Sequence, residues 1–598
     1  MRSRLPLCLA VAAFLLEALP AGAQVREPLT QMGPRTYLGF SGGLYANGND
    51  MPAIHAAAGA VRAAAVQPRD ASGNVSPTGA IAMLSIGMSN TTQEFCSAGG
   101  RTPCASWSFV GQALADPEVD RVWLKFVNGA RGGQTAQHWD SPTDPNYDRI
   151  RDVDLAEQGL TEAQVQVVWV KVANAGPNNS MPAANSDAAL LVQQTGNIAR
   201  ALKVRYPNVQ LVFLSSRIYA GYATVMLNPE PFAYETGFGA KWVIQAQVDQ
   251  MEAGGTIVDP RAGDMNYDTV APWIGWGAYL WGSGTTPRCD GLVWLPEDFQ
   301  PDGTHPSQSG EQKVGAMLLA FFKTSPLTRR WFLALGDTSV APASGPASGG
   351  TSLAISGRSF EAGATVEIGG MPASVTGTTP TSISVVAPAL AAAALHDMRI
   401  LNPGGTAGTI PEGYFSDFAD VHALHPFHDF VEKIRRRRVT AGCGAGTYCP
   451  DADVTRAQMA PFLLVSRYGA CFLPAEATGS LFADVPGTDP FASWIEQLAS
   501  LGVTAGCGGG LYCPQAAVTR AQMAVFLLAT REGAGYTPPP AIGVFEDVPP
   551  SHFAAAWIED LFARGIAAGC GASPPLYCPD AAVTRGEMAV FLTGTFFP

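Results

Sequence analysis

The chain has 598 residues, 47% of them hydrophobic and 15% charged. That is too long for one hydrophobic core and sets an expectation of about three or four domains. A formal net charge of −13 argues against nucleic acid or an anionic membrane surface as a partner.

Residues 1–23 read as a secretory signal peptide. Arg2 and Arg4 are followed by an apolar run to Leu19 broken only by Glu17, then by the small residues Ala21-Gly22-Ala23. The run is too short to span a bilayer, and no later stretch reaches the ~18–20 apolar residues that spanning requires. The mature chain is therefore expected to be exported, without a transmembrane segment.

Residues 24–79 show few clear periods. From residue 80 onward, strands are predicted over 80–86, 122–128, 165–171 and 209–215. Helices are predicted over 107–115, 186–206, 241–251 and 308–322. Strands alternating with helices imply a mostly parallel sheet covered on both faces. Near residue 336 the texture changes. Residues 337–344 are linker-like, and residues 345–415 carry short β-branched runs between Gly and Pro turns, as in a small all-β sandwich.

Residues 416–598 hold three internal repeats. Val454-Thr455-Arg456-Ala457-Gln458-Met459 recurs as Val518-Thr519-Arg520-Ala521-Gln522-Met523 and as Val583-Thr584-Arg585-Gly586-Glu587-Met588. Thr followed three residues later by Gln or Glu is a capping box that opens a helix. The Arg after each capping Thr is expected to be free to face a ligand. Phe418-Ala419-Asp420-Val421 and its two counterparts stand upstream of each copy.

Export makes disulfides the expected state of the cysteines. Close spacing pairs Cys96 with Cys104, Cys443 with Cys449, Cys507 with Cys513, and Cys570 with Cys578. Metal binding is the rival reading, but no pair has a nearby His or further Cys at zinc spacing, so no metal is expected. Cys289 and Cys471 are left over in different predicted domains and can both be free.

Candidate chemistry centres on Ser89, at the end of an apolar run and two residues after Gly87. A buried strand ending this way offers the hydroxyl at its carboxyl edge, where ligands bind in open α/β sheets. Four later pieces can join it. Gly132-Gly133 after the second strand can bring a backbone N–H to an oxyanion, and Asn174 after the third can donate its amide to the same oxygen. His305 can take the Ser89 proton, and Asp302 can fix the imidazole tautomer. Singly, each is an ordinary turn, loop or helix-cap residue; together, in this order along one sheet edge, they point to nucleophilic catalysis. Trp273, Trp276, Tyr279 and Trp281 either line a sugar-binding rim or pack a loop as a buried patch.

Residues 79–325 resemble the SGNH (GDSL-type) hydrolases, a flavodoxin-like α/β/α family. The most specific match is Asp302-Gly303-Thr304-His305-Pro306-Ser307. Gly87-Met88-Ser89 replaces the family's Gly-Asp-Ser, and Val172-Ala173-Asn174-Ala175 replaces Gly-x-Asn-Asp. The resemblance implies a serine esterase needing no cofactor. Ser89, Asp302 and His305 would be catalytic, with an oxyanion hole from Ser89, Gly133 (or Gly132, one residue earlier) and Asn174. Residues 340–415 resemble the IPT/TIG immunoglobulin-like domain through Gly349-Gly350-Thr351, Gly357-Arg358-Ser359-Phe360 and Asn402-Pro403-Gly404-Gly405. Residues 415–598 resemble three mainly α-helical S-layer homology modules. That resemblance implies envelope polysaccharide as a partner, with Arg456, Arg520 and Arg585 near the glycan. The combined expectation is a secreted, envelope-attached esterase acting on an acylated carbohydrate or another small ester. The rival is a non-catalytic surface protein that binds glycan or displays adhesive modules.

Overall fold

The computed structural model describes residues 26–97 and 103–597. The expected signal peptide over 1–23 lies outside the described residues. Five apolar segments form one sheet: β1 (Ile81–Gly87), β2 (Leu124–Asn128), β3 (Val165–Lys171), β4 (Leu211–Leu214) and β5 (Trp273–Trp276). Their spatial order is β2-β1-β3-β4-β5 and every neighbouring pair is parallel. This is the doubly wound order with its crossover point between β1 and β3.

Alternation along the strands divides the core. Ala82, Leu84 and Ile86 face one cluster, and Ile81 and Met83 face the other. The helices are α1 (Ala53–Ala65), α2 (Ser89–Phe95), α3 (Phe109–Ala115), α4 (Asp187–Arg205), α5 (Phe232–Glu252) and α6 (Gln308–Thr324). Helices α4 and α5 cover the first face through Leu191, Val192, Phe238 and Ile244. Helices α1, α3 and α6 cover the second through Ala63, Phe109, Val314 and Phe322. Among the described residues no helix is long and apolar enough to cross a membrane.

Two elements escape the sequence pattern. Helix α1 is so rich in Ala that its apolar face has little contrast, and β5 is a four-residue strand interrupted by Gly275. The aromatic cluster around β5 is core and not a rim. Trp273 and Trp281 are fully buried, and Trp276 and Tyr279 nearly so. Their polar atoms find partners inside: Trp273 Nε1 donates to the His55 carbonyl at 3.0 Å and Trp281 Nε1 to Glu230 at 2.8 Å.

The β-rich segment is a two-sheet sandwich around Leu353, Ile355, Val366, Ile383, Met398 and Tyr414. The expected linker over 337–344 belongs to it. Ser339–Ala341 pairs with Ser352–Ser356, and Ser344–Gly345 runs parallel to the end of Ala407–Ser416. Its Pro, Ser and Ala content hid two short strands. Nor is the junction loose: Arg358 donates to Asp120 at 2.8 Å, and Thr409 to Glu118 at 2.6 Å.

The three repeats close on one another in a ring. Each contributes two helices: His428–Arg436 with Arg456–Tyr468, Ala492–Ser500 with Arg520–Glu532, and Ala555–Ala563 with Arg585–Phe596. Val454 N–H donates to the Val583 carbonyl, Val583 to Val518, and Val518 to Val454, so a triangle of backbone bonds joins them. One core runs through all three. In each repeat an upstream Asp accepts two backbone N–H bonds from the Tyr-Cys turn: Asp420 from Tyr448 and Cys449, Asp484 from Tyr512 and Cys513, Asp547 from Tyr577 and Cys578.

The four close cysteine pairs are bonded as spacing predicts, but Cys289 and Cys471 are not free: they are bonded to each other. That bridge ties the loop after β5 to the first repeat, beside a hydrogen bond from Arg35 to the Leu473 carbonyl. Sequence spacing cannot reveal a partner 182 residues away.

His428 ties together the start of the first repeat, with Nε2 at 3.0 Å from Asp417 and Nδ1 at 2.9 Å from Asp429. The Asp417 hydrogen bond, opposed by burial and helped by Asp429, raises the imidazole from its ordinary 6.5 to about 9. A raised folded value means the protonated form is the stabilising one. Its contribution is full below pH 6.5 and is lost as pH rises through about 9. The melting-temperature gap between wild type and His428→Gln is therefore expected to be widest below pH 6.5 and to close toward pH 9; differential scanning fluorimetry across that range checks it.

Candidate active site

Ser89 is the first residue of α2 and follows β1 by one residue, so its hydroxyl stands at the carboxyl edge of the sheet beside the crossover point. The tight exit from β1 needs Gly87. A Cβ there would lie 2.2 Å from the Lys171 carbonyl oxygen and 2.4 Å from Thr91 Oγ1, and its φ is +155°.

His305 arrives from the loop before α6. Its Nε2 is 2.7 Å from Ser89 Oγ, and its Nδ1 is 2.5 Å from Asp302 Oδ2. With Nδ1–H donating to the carboxylate, Nε2 is left to accept from the Ser89 hydroxyl. Asp302 is itself fixed, because its Oδ1 accepts the backbone N–H groups of Thr304 and His305, each at 3.0 Å. Partial burial opposes ionisation of Asp302, but these bonds together with the His305 ring hold its carboxyl below the usual range. Asn90 Nδ2 donates to the Thr304 carbonyl at 2.9 Å and clamps α2 to the loop before α6.

Gly133 and Asn174 face Ser89 across a cavity of about 270 Å³, shared with Met88, Leu227 and Arg217. Gly133 has φ +77° with open space around it, while a Cβ on Gly132 would come within 3.8 Å of the Ser89 Cβ. The Asn174 amide donates to Gln194 at 2.8 Å and reaches Asp187 only at 3.4 Å, so one N–H is held loosely. Of the residues read from the sequence as a constellation, Ser89, Gly133, Asn174 and His305 line one cavity, and Asp302 is joined to it through His305.

Three features of the site were not anticipated. Below the floor, Lys171 at the end of β3 forms an ion pair with Glu94 of α2, both side chains fully buried. Burial pushes Lys171 down to about 8 and Glu94 up, and each charge favours the ionised form of the other. Arg217, just beyond β4, is 1% exposed and lines the cavity. Asn228 does too, with its Nδ2 donating to the Asn174 carbonyl at 3.2 Å. None of these residues sits in a motif that sets it apart in the sequence from an ordinary core or loop residue.

The repeat arginines do not stand free to face a ligand. Arg456, Arg520 and Arg585 are 4%, 6% and 6% exposed. Each Nε donates across the ring to a carbonyl of another repeat: Arg456 to Tyr512, Arg520 to Tyr577, Arg585 to Tyr448. Each guanidinium also sits about 5 Å from the same Tyr ring, at 4.8, 4.9 and 4.9 Å. The position after the cap points inward because the first turn of each helix packs at the ring centre, which a single repeat cannot reveal.

The family model of the IPT/TIG domain matches residues 338–415, and that of the S-layer homology domain matches residues 417–460 and 481–524. The third repeat lies beyond those matches and is the structural equivalent of the other two. No curated protein sequence matches the chain. Among solved structures, an auxiliary nutrient binding protein from Bacteroides ovatus is similar at 23% identity over 13% of this chain and 19% of that one, with a TM-score of 0.12. A salicylyl-acyltransferase from a tetracycline biosynthetic pathway is similar at 14% identity over 42% of this chain and 58% of its own, with a TM-score of 0.23. An extracellular lipase from Streptomyces rimosus is similar at 14% identity, covering 40% of this chain and 98% of the lipase, with a TM-score of 0.21. The chain thus spans less than two thirds of the first two. Its architecture is an α/β/α domain with a five-stranded parallel sheet, an IPT/TIG sandwich and S-layer homology repeats.

The buried ion pair makes a double-mutant test. Lys171→Met leaves Glu94 without a partner and is expected to cost roughly 3–5 kcal/mol of stability. Adding Glu94→Leu should recover most of that loss. Urea unfolding of the single and double variants measures both.

Proposed function

We propose that this protein is a serine ester hydrolase of SGNH type, exported and held at the cell envelope by its S-layer homology repeats. The observation that carries the reading is the unbroken chain from Ser89 Oγ through His305 to Asp302, at 2.7 and 2.5 Å, opening on a cavity that Gly133 and Asn174 also line.

In this reading Ser89 attacks the ester carbonyl carbon while His305 Nε2 takes its proton. The oxygen becomes an oxyanion held by the backbone N–H groups of Ser89 and Gly133 and by the Asn174 amide. Collapse of the tetrahedral intermediate breaks the ester C–O bond, and the alcohol leaves with the proton from His305. Water then enters, gives its proton to His305 and attacks the acyl-enzyme, and Ser89 is restored as acid departs. Asp302 holds the tautomer and offsets the charge that His305 gains. No metal or cofactor is required. The substrate class we favour is an acylated carbohydrate, chiefly acetylated, because the repeats would hold the enzyme beside envelope polysaccharide and raise its local concentration.

Ser89→Ala is expected to abolish turnover of 4-nitrophenyl acetate while leaving the melting temperature within a few degrees of wild type. Asp302→Asn keeps the shape but presents the wrong hydrogen-bonding pattern to Nδ1, and should lower kcat by about 10³–10⁴-fold. Release of acetate from acetylated polysaccharide, followed for the three proteins side by side, tests the substrate class. Equal rates for Ser89→Ala and wild type would defeat the hydrolase reading.

A further inference from the structure

Arg217 has no partner that accounts for its burial. It is 1% exposed and lines the Ser89 cavity, yet its Nε and Nη2 are buried without a hydrogen-bond acceptor. The carboxylates that act on it electrostatically are Glu94, Glu230 and Asp302. Each is committed elsewhere. Glu94 pairs with Lys171. Glu230 accepts from Trp281 and from the backbone N–H groups of Ala220 and Tyr234. Asp302 holds His305. Among the described residues none makes an ion pair with Arg217. A buried guanidinium left without acceptors is costly, and one that lines a cavity is positioned to regain them from a bound anion.

Two more residues that line the same cavity carry an unpartnered polar atom. Thr304 Oγ1 and Asn228 Oδ1 are buried without hydrogen bonds. The orientation of the Asn228 amide is fixed, because its Nδ2 donates to the Asn174 carbonyl. Its oxygen can therefore only accept, and it suits a hydroxyl donor. The remaining wall, from Met88, Ala175 and Leu227, is apolar and would exclude water from a bound ion pair.

We propose that Arg217 binds a carboxylate carried by the substrate close to the scissile ester, so that the cavity selects anionic esters over neutral ones of the same shape. The proposal rests on the hydrolase reading for the bond that is cut, but not for the binding of the anion. The carboxylate can belong to the acyl part, as in a half-ester of a dicarboxylic acid, or to the alcohol part, as in an esterified sugar acid. The Asn228 acceptor suits the second, whose ring hydroxyls are donors.

Two substrate pairs separate these sources. One compares 4-nitrophenyl hydrogen glutarate with 4-nitrophenyl pentanoate, and the other compares an acetylated methyl glucuronoside with the acetylated methyl glucoside. The full-length chain is expected to favour the charged member of one pair by about tenfold or more in kcat/KM, chiefly through KM. Arg217→Gln should bring that ratio close to one, and Arg217→Lys should restore part of it. A merely structural Arg would lower both members of a pair alike and leave the ratio intact. Ratios near one in wild type, or a ratio that survives Arg217→Gln, would overturn the proposal.

A second measurement does not need turnover. Calorimetry on Ser89→Ala should detect glucuronate or glutarate binding, with glucose as the neutral control, and the signal should vanish in Ser89→Ala/Arg217→Gln. Failure of both acids to bind, or equal binding by the two variants, would contradict the anion site. If no ester is hydrolysed but the acid binds through Arg217, the hydrolase reading fails and the anion site stands.

Discussion

The hydrogen bond between Ser89 and His305 joins residues 216 positions apart, and the rest of the α/β domain is arranged so that it can form. Ser89 must leave the sheet from an interior strand, which the β2-β1-β3 order secures. It must turn at once into α2, which Gly87 permits by lying against the Lys171 carbonyl without a side chain. His305 must be presented from the far end of the domain by a loop with little freedom. Asp302 supplies that restraint by binding the loop's own N–H groups and the imidazole together. In the hydrolase reading these groups are already in place before a substrate arrives, so that no reorganisation is needed as charge develops. The buried Glu94–Lys171 pair belongs to the same framework, since it fixes α2 to the end of β3 directly under the site.

The C-terminal half depends on a different constraint. One repeat has too little apolar surface for a core of its own, so the three share one. Sharing forces the residue after each capping Thr into the ring centre, where Arg456, Arg520 and Arg585 each satisfy a carbonyl of another repeat. Their charge therefore supports assembly of the ring. The ring is also not a free appendage. The Cys289–Cys471 bridge closes a loop long enough that, in the chain-entropy picture, it restricts the unfolded ensemble by on the order of 4–5 kcal/mol.

The parts of this architecture legible from sequence were those carried by local pattern. Strand β3 ends where its apolar run ends, at Lys171, and α6 starts at Gln308 as its spacing indicates. The repeats announce themselves by identity, and the active-site residues by their order along one sheet edge. What escaped depended on distant partners. Cys289 and Cys471 look solitary until the ring folds back on the α/β domain. The aromatic residues around β5 look like a rim until α1, itself hard to see in an Ala-rich stretch, covers Trp273. Arg217 resembles any charged residue beyond a strand, and only its burial and unsatisfied nitrogens set it apart. The strands inside 337–344 were hidden because turn-forming composition and edge strands look alike over so few residues.

The central claim is that Ser89 is a nucleophile activated by His305, and a fluorophosphonate tests it without knowledge of the natural ester. Attack by an activated serine oxygen forms an O–P bond and expels fluoride, leaving a stable adduct that intact-protein mass spectrometry counts and peptide mapping locates. The account predicts one adduct per folded chain, on Ser89, with labelling lost on denaturation and slowed strongly in His305→Ala. No adduct on the folded chain, labelling spread over other serines, or a rate indifferent to His305→Ala would contradict it.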